Sequence, residues 1–189
     1  MISLRTYLII LAILIVERFY ELDRSRRNAR ASLARGAIEV GQMHYRVMVA
    51  FHTAWIAACA VEATFFPHAF APIVAWIALA AEIVAQALRY WAVTTLGDRW
   101  NTRIIVSPER TPITDGPYRF MRHPNYLAVV IEIAAVPMIG GAIFTAIAFS
   151  LGNALILAVR IPAEERAMGG LYAEALGSRR RFFPGVRHS

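Results

Sequence analysis

Five apolar runs, parted by polar stretches of very unequal length, divide the chain: residues 2–20, 45–66, 70–93, 126–139 and 142–159. A membrane-crossing helix needs about 20 predominantly apolar residues, so all five are read as transmembrane helices, the fourth a short one. The first has its uninterrupted apolar centre at Tyr7–Val16. Glu17-Arg18-Phe19-Tyr20 follows it, where a cleaved signal peptide would end in small residues, so it is read as a retained anchor. Pro67-His68, with Pro72 just beyond, predicts a tight uncharged turn between the second and third runs, and Gly140-Gly141 turns the fourth into the fifth.

The long polar stretch Leu96–Arg122 interrupts this pattern. Within it Arg103-Ile104-Ile105-Val106 is a β-prone run before Ser107-Pro108, and Thr114-Asp115-Gly116-Pro117 reads as a turn. Pro124 stands where the fourth helix can begin, because proline is tolerated in a first turn. After Arg160 an amphipathic helix is expected, ending toward Arg179-Arg180-Arg181-Phe182-Phe183-Pro184. The expected fold is an all-α integral membrane protein, one domain over residues 1–189, with polar regions at 96–126 and 160–184.

Charge orients this scheme. All 20 basic residues are arginine, the formal net charge is +7, and the arginines sit in blocks after the first, third and fifth runs. The turns after the second and fourth carry none. Cytoplasmic loops are the arginine-rich ones, which places the N-terminus outside and the C-terminus inside. The same placement explains the basicity without nucleic acid, and no nucleic-acid partner is expected. Hydrophobic residues make up 58% of the chain, above the roughly 45–50% of soluble domains, and the exposed apolar face this implies permits a homodimer. Cys59 is the only cysteine, which rules out a disulfide framework and a cysteine-ligated zinc; no metal site is read. The lack of lysine removes Schiff-base chemistry and, with abundant alanine, points to a GC-rich bacterial genome.

Ionisable groups inside apolar runs are costly and suggest function or a specific partner. Glu62 and Arg89 lie near run ends, where they can serve structure; Glu82 and Glu132 sit deeper, suited to polar contact in the bundle or to a substrate; His52 fits an interior histidine. A denser group gathers at the inner ends of the last two runs: Tyr118, Arg119, Arg122, His123, Asn125 and Tyr126, facing Arg160, Glu164 and Glu165. Arg160 and Glu164, four apart, share a helix face. Cations suit a carboxylate or phosphate, a carboxylate suits a ribose diol, and aromatic faces suit an adenine or sulfonium. S-adenosylmethionine and NADPH both fit that description. No glycine-rich dinucleotide fingerprint follows a strand, so neither would sit in a Rossmann site.

These residues resemble a known family. Gly116-Pro117-Tyr118-Arg119-Phe120-Met121-Arg122-His123-Pro124-Asn125-Tyr126, then Arg160, Glu164-Glu165, Tyr172 and Arg181-Phe182-Phe183-Pro184, are similar to the isoprenylcysteine carboxyl methyltransferases, polytopic enzymes that use S-adenosylmethionine without a Rossmann domain. The resemblance implies that Tyr118, Arg122, His123 and Tyr126 hold the cofactor together with Glu165, with or without Glu164. It implies that Arg160 and Glu165 serve the reaction, Arg160 beside the reacting carboxylate or hydroxyl. The stretch from Gly97 to Val106, with Asn125 and Glu132, resembles a bacterial branch that methylates alkylpyrones made by type III polyketide synthases. That likeness implies substrate contacts from Arg99, Trp100 and Glu132, a lipophilic small-molecule acceptor, and a multi-pass location in the bacterial cytoplasmic membrane. Two other readings are open: an NADPH-dependent sterol-type reductase, whose superfamily shares the Arg122-His123-Pro124-Asn125-Tyr126 pattern, and a non-catalytic lipid-binding membrane module.

Overall fold

The computed structural model describes residues 2–68, 72–107, 110–183 and 185. Its elements run α1 (Leu4–Ala34), β1 (Ile38–Val40), α2 (Gln42–Phe65), α3 (Pro72–Leu96), β2 (Ile104–Val106), α4 (Pro124–Ile139) and α5 (Ile143–Leu176), with short 3-10 turns at Gly97–Arg99 and Gly116–Arg119. Each expected apolar run has its helix. α2, α3 and α5 are long and apolar enough to cross a membrane, and α4 is a shorter apolar helix of 16 residues. α1 falls outside that class by composition, because Arg5, Glu17, Arg18 and Glu21 break up its apolar stretch.

Three boundaries differ from the sequence reading, each for a local reason. α1 does not stop near residue 20 but continues to Ala34. Its buried residues Tyr7, Leu11, Leu14, Ser25, Ala29 and Ser32 follow a spacing of three and four, so one stripe faces the bundle along its whole length. α5 likewise runs past residue 159 to Leu176, with one break in helical geometry at Gly169 (φ 71°, ψ −161°), so the expected amphipathic tail is a continuation of the fifth helix. The expected β run Arg103–Val106 is a strand over Ile104–Val106, but its partner β1 was not expected: Ile38–Val40 pairs antiparallel with Ile104–Val106. The expected start of the third helix at Phe70, and Pro108 and Pro184 of the quoted motifs, lie outside the described residues; α3 begins at Pro72.

α4 is the central element. It packs on α3 and α5, while α2 covers α5 and α1 lies on α2. Nine of the 16 residues of α4 are buried, from Pro124 to Ile139, and Val130 is exposed. Tyr7, Leu11 and Leu14 of α1 meet Trp55 and Cys59 of α2 and Ile133, Val136 and Ile139 of α4 in one core cluster. Outward faces carry Ile9, Ile13, Val16, Ile73, Ile77, Val84 and Leu155, all exposed, a surface suited to hydrocarbon. At the far end from the polar loops, the Glu62 carboxylate accepts from the Phe144 N–H (2.9 Å) and the Thr145 N–H (2.7 Å), capping the otherwise unpaired amides of α5. The structural reading of Glu62 is the one its contacts support.

The turn between α4 and α5 packs closely on α1 at Gly140, where a Cβ would lie 2.3 Å from Cε1 of the Tyr7 ring. Tyr7 is 1% exposed and has no room to retreat. Gly140→Ala should therefore destabilise the folded protein by about 1–3 kcal/mol through overpacking, read as a lowered unfolding midpoint in detergent. Gly170→Ala, at a site open to at least 4 Å, serves as the control and should be neutral or slightly stabilising. Equal midpoints for the two variants would contradict this account of the turn.

Candidate functional site

The polar group is assembled by three pieces of chain that meet at the start of α4. The turn Gly116–Arg119 delivers Tyr118, and Arg122-His123 lead directly into Pro124, the first residue of α4. The polar turns of α5 come in from one side. From another, the segment after α5 folds back, and its carbonyls accept from the amides before α4: Arg122 N–H to Arg180 O and His123 N–H to Arg181 O, both 3.0 Å. Arg179 also donates to the Tyr118 carbonyl (2.5 Å). The arginine-rich motif near residue 180 is thus a clamp on the site's backbone.

The two glutamates of the pair have different partners. Glu165 gathers three cationic or donor groups: Arg122 Nη1 (3.0 Å), His123 Nε2 (3.0 Å) and Arg181 Nη2 (2.7 Å). The bond to Glu165 holds the Arg181 guanidinium more firmly protonated than usual. Glu164 accepts a short hydrogen bond from the Tyr126 hydroxyl, which in turn accepts from Arg160 Nε (2.8 Å). Arg160 Nη2 donates to the Thr102 carbonyl (2.6 Å), which ties α5 to the loop before β2. The rings of His123 and Tyr126 lie 5.3 Å apart, and Tyr172 stands 6.5 Å from His123. Burial pushes the Tyr118 phenol well above its ordinary range, so it is a neutral hydrogen-bonding group.

These residues form the polar end of a cavity of about 360 Å³, within the roughly 300–1,000 Å³ usual for ligand sites. One stripe of α5 supplies a full wall: Asn153, Leu157, Arg160, Glu164, Met168 and Tyr172, spaced by threes and fours. Deeper, Met48, Val49, Ile56, Val129 and Ile156 make much of the lining apolar, with Arg18, Glu21, His52 and Arg89 as its polar members. Several buried polar atoms at this end have no hydrogen-bond partner: Arg160 Nη1, Arg122 Nε, Asn125 Oδ1 and the Tyr172 hydroxyl. Buried polar groups are normally paired, so such a concentration in one cavity marks a place for a polar ligand.

Of the residues singled out in the sequence, Tyr118, Arg122, His123, Tyr126, Arg160 and Glu164 line the cavity together, and Arg99 and Trp100 join them from the loop. Glu165 stands behind His123 and Arg122 rather than on the cavity wall. Glu132 is 1% exposed and is bound to Arg89 of α3 and, at 3.5 Å, to Arg18 of α1, also away from the cavity surface. Asn153, Thr102 and the α1 pair Arg18 and Glu21 went unnoticed in the sequence. The signal for the last two was periodic: Arg18 follows Leu11 by seven residues and Glu21 follows Leu14 by seven, on the same inward stripe.

Long apolar helices around a cavity with a charged end define a helical membrane protein. Residues 76–169 match the isoprenylcysteine carboxyl methyltransferase (ICMT) family. The chain is similar to the uncharacterized protein YpbQ of Bacillus subtilis (strain 168), at 38% identity over 161 residues that cover 85% of this chain and 95% of that one. It is also similar to an uncharacterized protein of Haemophilus influenzae (strain ATCC 51907 / DSM 11121 / KW20 / Rd), at 33% identity over 171 residues, 90% and 96% of the two chains. The chain belongs to the isoprenylcysteine carboxyl methyltransferase family, a family of methyltransferases.

Glu165 and Arg181 should not be equal partners in stability. Arg181 is 40% exposed in its side chain, and an exposed pair contributes about 1 kcal/mol or less. Glu165→Ala leaves Arg122 and His123 buried without their carboxylate, a loss on the order of 3 kcal/mol. Denaturant unfolding of the two alanine variants checks the order; a larger loss from Arg181→Ala would contradict it.

Proposed function

We propose that the chain is an S-adenosylmethionine-dependent O-methyltransferase of the bacterial cytoplasmic membrane. Its acceptor is a lipophilic small molecule with one acidic oxygen: the enolic hydroxyl of an alkylpyrone-type polyketide, or the carboxylate of an isoprenylated compound. The observation that carries this reading is the single cavity joining the Arg160–Tyr126–Glu164 group to an apolar chamber among the helices. A polar head at the first and a hydrocarbon tail in the second suit such an acceptor. The arginine blocks favour the polar end lying at the cytoplasmic face, where the cofactor is available.

The residues present fit the cofactor. Aromatic faces at His123, Tyr126 and Tyr172 suit an adenine, the Glu164 carboxylate suits a ribose diol or an ammonium, and the orphaned Arg122 donor suits a carboxylate. Tyr118 closes this group from the loop, and Glu165 holds Arg122 and His123 in register. Bound there, S-adenosylmethionine would supply a sulfonium methyl to the acceptor oxygen and leave as S-adenosylhomocysteine.

An enol or carboxylate is already largely ionised at neutral pH, so the protein's task is alignment and exclusion of water. Arg160 is placed to orient the anion: Nε and Nη2 are committed to Tyr126 and Thr102, leaving Nη1 buried and free. Those two bonds fix the guanidinium plane, so it steers the oxygen without closing on it as a full ion pair. Trp100, its indole N–H buried and unpartnered, and Arg99 contribute from the loop side of the acceptor.

Calorimetric titration of detergent-purified protein with S-adenosylhomocysteine should give saturable binding, weakened at least about tenfold by Glu164→Ala, with NADPH inert. Arg160→Ala should keep cofactor-product binding and lose methyl transfer by about a hundredfold or more. Binding of NADPH in place of S-adenosylhomocysteine would move the protein to the reductases, and undiminished transfer by folded Arg160→Ala would remove that residue's assigned role.

A further inference from the structure

The same cavity has a second polar wall, deeper in the bundle, that methyl transfer does not use. Arg18 and Glu21 of α1, His52 of α2 and Arg89 of α3 all line it. They belong to a buried charge group completed by Glu132. Arg18 Nη1 pairs with Glu21 at 2.7 Å and Arg18 Nη2 lies 3.5 Å from Glu132. Arg89 Nη1 lies 3.6 Å from Glu21, and Arg89 Nη2 bonds Glu132 directly. Glu17 also lies 3.3 Å from Arg18 Nη2, so each guanidinium is matched by carboxylates and neither needs a further counterion.

Charge is satisfied; hydrogen bonding is not. Two guanidinium groups present ten N–H donors between them, and Arg18 Nε and Arg89 Nε are buried with no hydrogen-bond partner. Arg89 is 5% exposed overall. Across the cavity His52 shows the opposite imbalance. Its Nδ1 lies 2.9 Å from the Met48 carbonyl, which can only accept, so in the neutral ring Nδ1 carries the proton and Nε2 is a bare acceptor. A brace that only held helices together would be fully paired and would have no reason to face a cavity. Surplus donors on one wall and an unused acceptor on the other describe a site for an oxygen-bearing group, such as a carbonyl or hydroxyl.

Its depth separates this group from the reacting one. Glu132 lies six residues beyond Tyr126 along α4, about 9 Å at 1.5 Å per residue. We propose that Arg18, Glu21, Arg89 and His52 form a second polar subsite that hydrogen-bonds an oxygen function of the acceptor, several bonds from the oxygen that takes the methyl. The inference rests on the methyltransferase reading and narrows its substrate. The acceptor is polar at two places, an oxygenated ring with a tail, and not an acid whose remainder is plain hydrocarbon.

The test uses two amphiphiles of similar tail length: a hydroxy-alkylpyrone, with ring oxygens besides its acidic hydroxyl, and S-farnesylthiopropionic acid, whose only oxygens are those of its carboxylate. Affinity of each is measured by titration into protein in lipid nanodiscs saturated with S-adenosylhomocysteine, for the wild type and for His52→Phe, which keeps a ring and removes Nε2. The expected result is wild-type preference for the pyrone by about tenfold or more, reduced by at least about fivefold in His52→Phe, with S-adenosylhomocysteine affinity unchanged. Equal wild-type affinities, a preference that survives His52→Phe, or no binding of either amphiphile overturns the subsite. S-adenosylhomocysteine is titrated alone first; its failure to bind defeats the methyltransferase reading by itself, while the amphiphile comparison is then made without it and judged by the same outcomes. Should His52→Phe fail to fold, His52→Gln replaces it: its amide oxygen restores an acceptor, and retained pyrone preference is the expected result, while its loss overturns the role of Nε2.

Discussion

Glu132 is held by arginines from two other helices, in surroundings where none of the three could stand alone. Arg89 of α3 bonds it directly and Arg18 of α1 lies 3.5 Å away. Removing one member of such a buried group typically costs about 3–5 kcal/mol, because the charge left behind has no water to turn to. The group therefore fixes α1, α3 and α4 relative to one another at one height in the bundle. Everything nearer the polar loops is built on that registration, including the position of Tyr126 two turns back along α4.

From that level the chain becomes progressively more polar. Ser25 and Asn28, farther along the inward stripe of α1, take hold of the loop after α3: Ser25 Oγ accepts from the Thr102 N–H at 3.0 Å, and Asn28 donates to the carbonyls of Gly97 and Trp100. The loop passes the restraint on, since the Thr102 carbonyl fixes Arg160. The β1–β2 pair then ties the α1–α2 connection to the same loop, with Arg103 bridging to Glu39 at 3.3 Å. A first helix outside the residues that match the family model thus supports residues on the last one through two hydrogen-bonded steps.

What could be read from the sequence was what local pattern encodes. The helical segments, the turn at Gly140-Gly141, the strand at Ile104–Val106 and the start of α4 at Pro124 all have compositional or conformational causes within a few residues. The cavity-lining set from Tyr118 to Glu164 was legible through its motif and through the four-residue spacing of Arg160 and Glu164. β1 was not, since Ile38–Val40 is too short to show alternation and is a strand only because β2 lies beside it. The continuation of α1 was hidden by arginines that turn out to ride on its exposed side, while Ser25, Ala29 and Ser32 are individually too unremarkable to announce a buried face. Glu132 and Glu165 were recognised as important residues, but whether a carboxylate stands on a cavity wall or one layer behind it depends on partners from other helices. No one-dimensional pattern carries that.

α5 runs without a break in helical geometry from Ile143 to Met168, about 39 Å at 1.5 Å per residue, against a hydrocarbon thickness of about 30 Å. Its apolar stretch ends near Val159, and Arg160 and Glu164 stand on the next turns of the same rod. Helical geometry is unbroken between them and the hydrocarbon-facing residues, the one break coming later at Gly169. The helix consequently acts as a gauge: the height of the polar group above the oily layer is set by covalent geometry. When bilayer thickness changes, such a rod adjusts by tilting, and the chamber mouth tilts with it, so the path from lipid to Arg160 keeps its length and changes its slope.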